Sequence, residues 1–196
     1  MPSTKCVFVR EKSDRLKLQL HHSPVEIERK FLVGTDPPIA GVNGRAIAQG
    51  YLAIASKDGA PLEIRVRRIE AHDFFLTFKS SGGQTRAEIE LPLTAEQFEQ
   101  LWPYTASYRL EKKRYLIELP DSIRAELDEY QGALQGLRVV EVEFPSEAKS
   151  EEFVPPAWFG AEITGDPQYR NANLALRAAG EAEERRGDEA TGRRGD

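Results

Sequence analysis

The sequence predicts a mainly β fold of the α+β class, in which seven or eight strands form a closed or nearly closed antiparallel β-barrel. Seven stretches of the chain alternate polar and apolar side chains, which is typical of strands with two unlike faces. Helical stretches are few and short. The polar side chains of the alternating stretches are almost all ionised, so we expect them to line the barrel as a charged tunnel, with the short helices packed outside.

The predicted strands lie between residues 25 and 144. The stretch at 62–67, Leu-Glu-Ile-Arg-Val-Arg, alternates strictly. Residues 74–80 and 85–91 flank a Ser-Gly-Gly sequence at 81–83, which predicts a hairpin with a glycine loop. The remaining strands are expected at 25–33, 108–119, 124–130 and 138–144.

Three short helices are predicted between and after these strands. Thr94 and Gln97 have the spacing of a capping box, and Pro103 ends the apolar stripe that follows them. A second helix is expected at 146–153, where the first residue is a serine that suits the N-cap. A third helix is expected at 171–179, because the glycine that follows is typical of a helix C-terminus.

These elements divide the chain into three parts. Residues 1–23 carry basic side chains without clear periodicity, so we expect a flexible N-terminal extension. Residues 24–178 hold the predicted strands and form one domain, which is long enough to bury a substantial core. Residues 179–196 are rich in Glu, Arg and Gly and offer nothing to bury, which predicts a disordered charged tail.

Composition argues against several classes of protein. The chain has 196 residues, of which 40% are hydrophobic and 30% charged, and its formal net charge is -5. An acidic chain is not expected to bind nucleic acid or a membrane surface. Cys6 is the single cysteine, so no internal disulfide forms, and we find no apolar run typical of a signal peptide or a membrane span. We therefore expect a cytoplasmic protein, either a monomer or a homodimer.

Reading each strand with a period of two separates a charged set from an apolar set. The charged set is Glu26, Glu28, Lys30, Glu63, Arg65, Arg67, Thr77, Lys79, Arg86, Glu88, Glu90, Lys112, Arg114, Glu126, Asp128, Glu141 and Glu143. The apolar set is Ile27, Phe31, Leu62, Ile64, Val66, Leu76, Phe78, Ile89, Leu91, Tyr115, Ile117, Leu127, Val140, Val142 and Phe144. An ordinary solvated sheet face also alternates with an apolar one, but it would mix in Ser, Gln and Asn. The nearly complete ionisation of this face favours charges that point inward.

A charged interior is costly unless its members are paired or hold ions. The set contains nine carboxylates and seven cations, so mutual pairing leaves it negative. Divalent cations would relieve these carboxylates, and oxygen ligands without His or Cys favour magnesium or manganese. Once metal is bound, the arginines suit phosphate oxygens. A polyanionic phosphate chain is therefore the expected ligand.

The same residues carry a resemblance to a known family. Glu26-Ile-Glu28-Arg-Lys30 resembles the E-x-E-x-K signature of the CYTH superfamily, the triphosphate tunnel metalloenzymes. The family's other motifs follow in order: 49–52, 63–67, 77–80, 88–90, 112–115, 126–128, 141–143 and 166–169. Leu-Trp-Pro at 101–103 and Pro-Pro-Ala-Trp-Phe-Gly at 155–160 make the chain most similar to short bacterial members that hydrolyse inorganic tripolyphosphate.

The resemblance implies an eight-stranded antiparallel β-barrel that forms a tunnel. It also implies a metal-dependent hydrolase that cleaves tripolyphosphate to pyrophosphate and phosphate inside this tunnel, with Mg²⁺ or Mn²⁺ as cofactor. It implies metal binding by Glu26, Glu28, Glu88, Glu90, Asp128, Glu141 and Glu143. It implies phosphate binding by Lys30, Arg65, Arg67, Lys79, Arg86, Lys112 and Arg114. It assigns catalysis to Glu26, Glu28, Lys30 and Lys79.

Other reactions use the same fold, so the alternatives stay open. A thiamine triphosphatase or a class IV adenylate cyclase would need contacts to an organic group. Trp102 and Trp158 lie in apolar segments where a core role is expected, which favours a substrate without an organic end. A non-catalytic polyphosphate-binding module is the third alternative, although such a module would not need so many glutamates.

Overall fold

The structure, a computed structural model of the chain, describes residues 4–10, 16–22, 27–57, 60–82 and 85–192. Within these ranges eleven strands form one sheet: β1 (Thr4–Arg10), β2 (Leu16–His22), β3 (Ile27–Val33), β4 (Arg45–Lys57), β5 (Ala60–Ile69), β6 (Asp73–Gly82), β7 (Thr85–Leu93), β8 (Arg109–Glu118), β9 (Arg124–Tyr130), β10 (Arg138–Phe144) and β11 (Phe159–Glu162). The α-helices in these ranges are α1 (Ala95–Leu101), α2 (Glu147–Glu152) and α3 (Asn171–Gly192).

The sheet is open, with strand order β11-β3-β10-β9-β8-β4-β5-β6-β7-β1-β2. From β3 to β7 every neighbouring pair is antiparallel, which confirms the predicted mainly β, antiparallel class. The predicted closure into an eight-stranded barrel is wrong. Closure would require hydrogen bonds between β3 and β7, but the free edge of β3 pairs with β11, and the free edge of β7 pairs in parallel with β1.

Strand register places the predicted charged residues on one face of this sheet. Lys30 on β3 lies opposite Glu141 on β10, and Arg114 on β8 lies opposite Asp128 on β9. On the other half of the sheet, Lys79 on β6 lies between its cross-strand partners on β5 and β7, which are both glutamates. Because directly opposed residues in antiparallel strands share a face, the predicted two-faced pattern is confirmed for these strands.

The opposite face carries the main apolar core. Its buried residues are Phe31, Tyr115, Ile117, Ala125, Leu127, Val140, Val142, Phe144 and Phe159. Phe153, which follows α2, packs against this cluster, and α2 contacts β3 and β10. On the other half of the sheet Phe98 of α1 is fully buried and its ring lies 5.1 Å from that of Phe74. Helices α1 and α2 therefore cover the apolar face, as predicted, whereas α3 packs elsewhere.

A second apolar cluster continues the charged face at one end. It consists of Tyr51, Leu110, Tyr130, Leu134, Val139, Ile163, Ala172, Leu174 and Ala175. Three of the α3 side chains belong to it, and Tyr130 Oη donates a 2.6 Å hydrogen bond to Asn171 Oδ1 at the start of the helix. Tyr169, which precedes α3, packs against the same cluster. Helix α3 thus closes this end of the charged face.

The local signals in the sequence predict the short helices correctly. Thr94 Oγ1 accepts from the backbone N–H of Gln97, and Gln97 Oε1 accepts from that of Thr94, which completes the capping box of α1. Ser146 Oγ accepts from the backbone N–H of Lys149 and caps α2. The hairpin of β6 and β7 is also present, with its glycine loop at 83–84 outside the described residues.

Several elements differ from the sequence-based expectation. Strands β4 and β11 were not predicted as strands, and residues 4–10 and 16–22 form β1 and β2 within the part expected to be a flexible extension. Helix α3 continues past Gly180 to Gly192, into the part expected to be disordered. The division of the chain into extension, domain and tail itself stays a prediction. None of the helices in the described ranges is both long and apolar enough to cross a membrane.

Replacing Leu174 with alanine is expected to destabilise the protein because this side chain of α3 is fully buried in the second cluster. Removing a buried leucine typically costs about 2–5 kcal/mol of unfolding free energy. The matched control is Leu176→Ala on the same helix, since Leu176 is 40% exposed. Chemical denaturation of both variants measures the difference, and equal losses would contradict the packing of α3 described above.

Candidate active site

The charged face holds its side chains in cross-strand ion pairs. Lys30 Nζ lies 2.5 Å from Glu141 Oε1, and Arg67 Nη2 lies 2.6 Å from Glu90 Oε2. Lys79 Nζ lies 3.4 Å from a carboxylate oxygen of Glu88. These pairs reduce the cost of holding ionised groups on a partly buried surface. The face is therefore largely neutralised by its own residues.

A more buried ion pair than these joins Lys112 to Asp128, and Arg114 completes a triad with them. Lys112 Nζ lies 2.5 Å from Asp128 Oδ2, and the Asp128 and Lys112 side chains are only 1% and 2% exposed. Arg114 donates Nε to Asp128 Oδ1 and Nη2 to Asp128 Oδ2, both at 2.6 Å, in a bidentate pair. Arg114 also pairs with Glu126 through Nη1, and its Nη2 lies 3.6 Å from Glu141. The triad thus links β8, β9 and β10.

The pKa values of these groups follow from burial and from their partners. Burial alone would raise the pKa of Asp128, but Lys112 and Arg114 outweigh it and hold that pKa below its ordinary value. The pKa of Glu141 is likewise lowered, because Lys30, Lys112 and Arg114 outweigh its burial. Burial lowers the pKa of Lys112 to about 8 even beside Asp128. Both carboxyl groups are therefore ionised at neutral pH.

Strands β4 and β5 contribute buried polar side chains other than carboxylates. Gln49 Nε2 donates a 2.8 Å hydrogen bond to Tyr51 Oη, both side chains being buried, and burial raises the pKa of Tyr51 to about 12. Arg65, which lies opposite Tyr51 in register, offsets part of this rise in the pKa of Tyr51. The sequence reasoning missed this pair, although the Gln-Gly-Tyr-Leu motif at 49–52 contains it. The signal available in the sequence was the spacing of Gln49 and Tyr51, which are two residues apart and therefore share one face of a strand.

Two arginine nitrogens of the described residues are buried without a hydrogen-bond partner. They are Nε of Arg65 and Nε of Arg67, two residues apart on the same face of β5. An orphaned guanidinium N–H is costly in a folded protein, and a ligand oxygen is one way to satisfy it. These two groups therefore point to an acceptor that is not part of the described protein, such as an anion.

The end of the charged face remote from α3 opens into a cavity of about 1460 Å³. Glu126, Glu141 and Glu143 line its inner side, and Trp158 and Phe153 line its apolar side. Trp158 also packs on Phe159, with ring centroids 4.3 Å apart, so it belongs to the edge of the core. The cavity leaves room for a ligand beside the carboxylates.

Carboxylate oxygens are the ligands that a hard divalent cation prefers, and the described residues supply part of such a ligand set. Glu28 on β3 lies opposite Glu143 on β10, with Glu141 two residues away on the same face. Among the described residues, no three His, Cys, Asp or Glu side chains come together as a metal cluster. Magnesium is often held by only one or two protein carboxylates together with substrate phosphates, so the arrangement fits such an ion.

The structure separates the remaining predicted metal ligands from this group. Glu88 and Glu90 lie on β7, six strands from β10 in the sheet order, where they face Lys79 and Arg67. Asp128 lies close to Glu141, but its two oxygens accept hydrogen bonds from Lys112 and Arg114. Glu26 and the side chain of Arg86 lie outside the described residues, so their predicted roles stay predictions.

Acid should destabilise the ligand-free protein through Asp128. Because its pKa is lower in the folded protein than its ordinary value of 3.8, the unfolded chain binds more protons at acid pH. The stabilisation is present above about pH 4 and is lost as the pH falls through the folded-state pKa. We expect the unfolding free energy of Asp128→Asn to fall less steeply between about pH 5 and 2. Asp36→Asn, at an exposed carboxylate, should keep the wild-type slope, and equal slopes for all three proteins would contradict the pairing.

Comparison with known proteins identifies the family of this chain. The CYTH domain model matches residues 24–169. An inorganic triphosphatase of Nitrosomonas europaea is 45% identical over 151 residues, which cover 77% of this chain and 97% of that protein. An inorganic triphosphatase of Acetivibrio thermocellus is 33% identical over 150 residues, covering 76% and 92%.

A solved structure agrees with these sequence matches. The crystal structure of an inorganic triphosphatase superposes on this chain with a TM-score of 0.63 at 42% identity, and the match covers 80% of this chain and 97% of that one. The similarity therefore extends over nearly the whole of each of these relatives and includes the strands that carry the paired charges. On these grounds the chain belongs to the CYTH domain family.

Proposed function

We propose that this protein hydrolyses inorganic triphosphate to pyrophosphate and phosphate with the help of Mg²⁺ or Mn²⁺. The observation that carries the proposal is the pair of orphaned guanidinium nitrogens of Arg65 and Arg67 on a face that also bears ordered carboxylates. An anion rich in oxygen satisfies the arginines, and a divalent cation satisfies the carboxylates. The two relatives named inorganic triphosphatase support the same substrate.

In this proposal the cations of the face bind the phosphate chain. Arg65 and Arg67 donate to its oxygens from β5, and Lys79 adds a charge from β6. Lys30 and Arg114 approach from the other half of the sheet. Arginine forks match phosphate oxygens in pairs, so these side chains fix the orientation of the chain as well as its charge. Arg86 is assigned to the same set by its sequence position alone.

The metal ligands in the proposal are Glu28, Glu141 and Glu143, with Glu26 by its sequence position. When bound, Mg²⁺ or Mn²⁺ neutralises phosphate charge and supplies an activated water near neutral pH. Glu141 pairs with Lys30 in this structure, and if it held the cation, Lys30 Nζ would become available to a phosphate oxygen.

Hydrolysis of a terminal phosphoryl group needs alignment and charge stabilisation more than a covalent intermediate. Arg65, Arg67 and Lys79 hold the triphosphate while negative charge shifts to the leaving pyrophosphate, and Arg114 and Lys30 stabilise the oxygens of the transferred group. The second apolar cluster under α3 keeps water away from one end of the face. No nucleophilic side chain takes part in this scheme.

A substrate comparison tests the proposal directly. Phosphate release from tripolyphosphate, ATP and thiamine triphosphate is measured with Mg²⁺, with Mn²⁺ and with a chelator. We expect the fastest metal-dependent release from tripolyphosphate. Faster release from thiamine triphosphate, cyclic nucleotide formed from ATP, or tight binding without turnover would each replace the proposed function by one of the alternatives set out above.

Removing Arg65 should weaken catalysis because its guanidinium is proposed to bind the substrate. For Arg65→Ala we expect kcat/KM for tripolyphosphate to fall by about 100-fold, the usual effect of losing one charged donor at the reacting phosphates. Arg68→Gln is the matched control, since Arg68 lies on β5 but faces the ring of Phe98 under α1. Equal losses in both variants would contradict the assignment of the charged face as the site.

Glu143→Gln should raise the metal requirement. Loss of a carboxylate ligand is expected to increase the Mg²⁺ concentration for half-maximal activity by at least about 10-fold, with activity partly restored at high metal concentration. Glu129→Gln is the control, because Glu129 accepts from Tyr115 Oη on the opposite face. An unchanged metal requirement in Glu143→Gln would remove Glu143 from the metal site.

A further inference from the structure

Arg114 is held from two sides by carboxylates of very different accessibility. On one side it makes the bidentate pair with Asp128, whose side chain is 1% exposed. On the other side it contacts Glu126, which is 34% exposed, and lies 3.6 Å from Glu141, which is 16% exposed. The inner contact is removed from solvent, and the outer contacts border the cavity that both glutamates line.

Both oxygens of Asp128 already accept hydrogen bonds from the two cations of the triad. Oδ1 accepts from Arg114 Nε, and Oδ2 accepts from both Arg114 Nη2 and Lys112 Nζ at 2.6 and 2.5 Å. A cation at Asp128 would have to displace two buried positive charges, which would then lack a partner in a low-dielectric environment. The geometry therefore argues against the predicted role of Asp128 as a metal ligand.

Lys112 is similarly removed from any substrate. Its side chain is 2% exposed, its Nζ contacts Asp128, and it lies 5.6 Å from the ring centre of Tyr130 in the second apolar cluster. At this degree of burial, Nζ is not open to a phosphate oxygen from the solvent side. Lys112 therefore pairs with Asp128 from the buried side, at a site where one carboxylate meets two cations.

We propose that Asp128 and Lys112 are positioning residues that fix the guanidinium of Arg114, so that its outer N–H groups exchange Glu126 and Glu141 for phosphate oxygens while the inner pair stays intact. This inference rests on the proposed function only for the identity of the phosphate ligand. Asp128 then contributes to anion binding although it is itself an anion, and it touches neither metal nor substrate.

The sign of one binding change separates this role from metal ligation. The dissociation constant of tripolyphosphate is measured by calorimetry in chelator, so that no metal is present. Removing a carboxylate near a polyanion normally leaves its affinity unchanged or increases it. For Asp128→Asn we expect an affinity at least about 10-fold weaker, because the guanidinium of Arg114 is no longer held in the orientation that binds phosphate. The matched control Glu143→Gln should show unchanged or tighter binding, and Asp128→Asn behaving like it would overturn the proposal.

A double-mutant comparison tests whether the effect passes through Arg114. In an Arg114→Gln background, Asp128→Asn should weaken tripolyphosphate binding by less than about 2-fold further, because the group it positions is already absent. Independent effects that multiply would overturn the proposal. Mn²⁺ binding without phosphate gives a second readout, which Asp128→Asn should leave unchanged and Glu143→Gln should weaken.

A double variant that removes the buried charges together serves as the control for loss of folding. Asp128→Asn combined with Lys112→Met leaves no unpaired lysine in the triad, and exchange of a buried ion pair for neutral side chains is often tolerated. This double variant should fold and still lose metal-free affinity. Failure of the neutral pair to fold would overturn the proposal, since the pair would then be required for the fold. Phosphate release by the wild-type protein decides the proposed function separately, because the calorimetric comparison needs no turnover.

Discussion

The pairing of charges across strands is the constraint on which this structure depends. A sheet face that carries ionised groups at nearly every inward position can be partly buried only if each group meets an opposite charge. Strand register achieves this by placing Lys30 opposite Glu141 and Arg114 opposite Asp128. A shift of one residue in any of these strands would turn the charges towards the main apolar core, so the ion pairs and the hydrophobic core specify the same register.

The two apolar clusters give this charged face a fixed shape. One cluster holds the back of β3, β8, β9 and β10 against the segment around α2, and the other packs the far end of the same strands against α3. The ionised side chains therefore lie between the two apolar clusters, and the cavity lies beside Glu126, Glu141 and Glu143. Such a frame limits the movement of Arg114 and Lys30 to small exchanges between carboxylate partners and a ligand.

Period-two alternation predicted which residues share the charged face, because side-chain direction in a strand is set by the backbone alone. Alternation could not predict partners. Asp128 and Glu143 look alike in the sequence, yet only Asp128 lies opposite an arginine with a lysine beside it. Strand β4 was missed because its small residues serve close packing: a Cβ on Gly50 would lie 2.3 Å from Thr105 Oγ1. Sheet closure was mispredicted because it depends on which edges β1 and β11 occupy.

The internal pairing also affects how the protein responds to its ionic surroundings. Polyanion sites made of unpaired lysines and arginines collect small anions from solution and release them on binding, which makes affinity fall steeply with salt. Here the counterions of Lys30 and Arg114 are resident carboxylates of the chain itself, Glu141 and Glu126. A ligand that displaces them releases no ions to the solvent at these positions. The affinity of this site for a polyanion therefore depends less on ionic strength wherever its own glutamates are the partners of its cations.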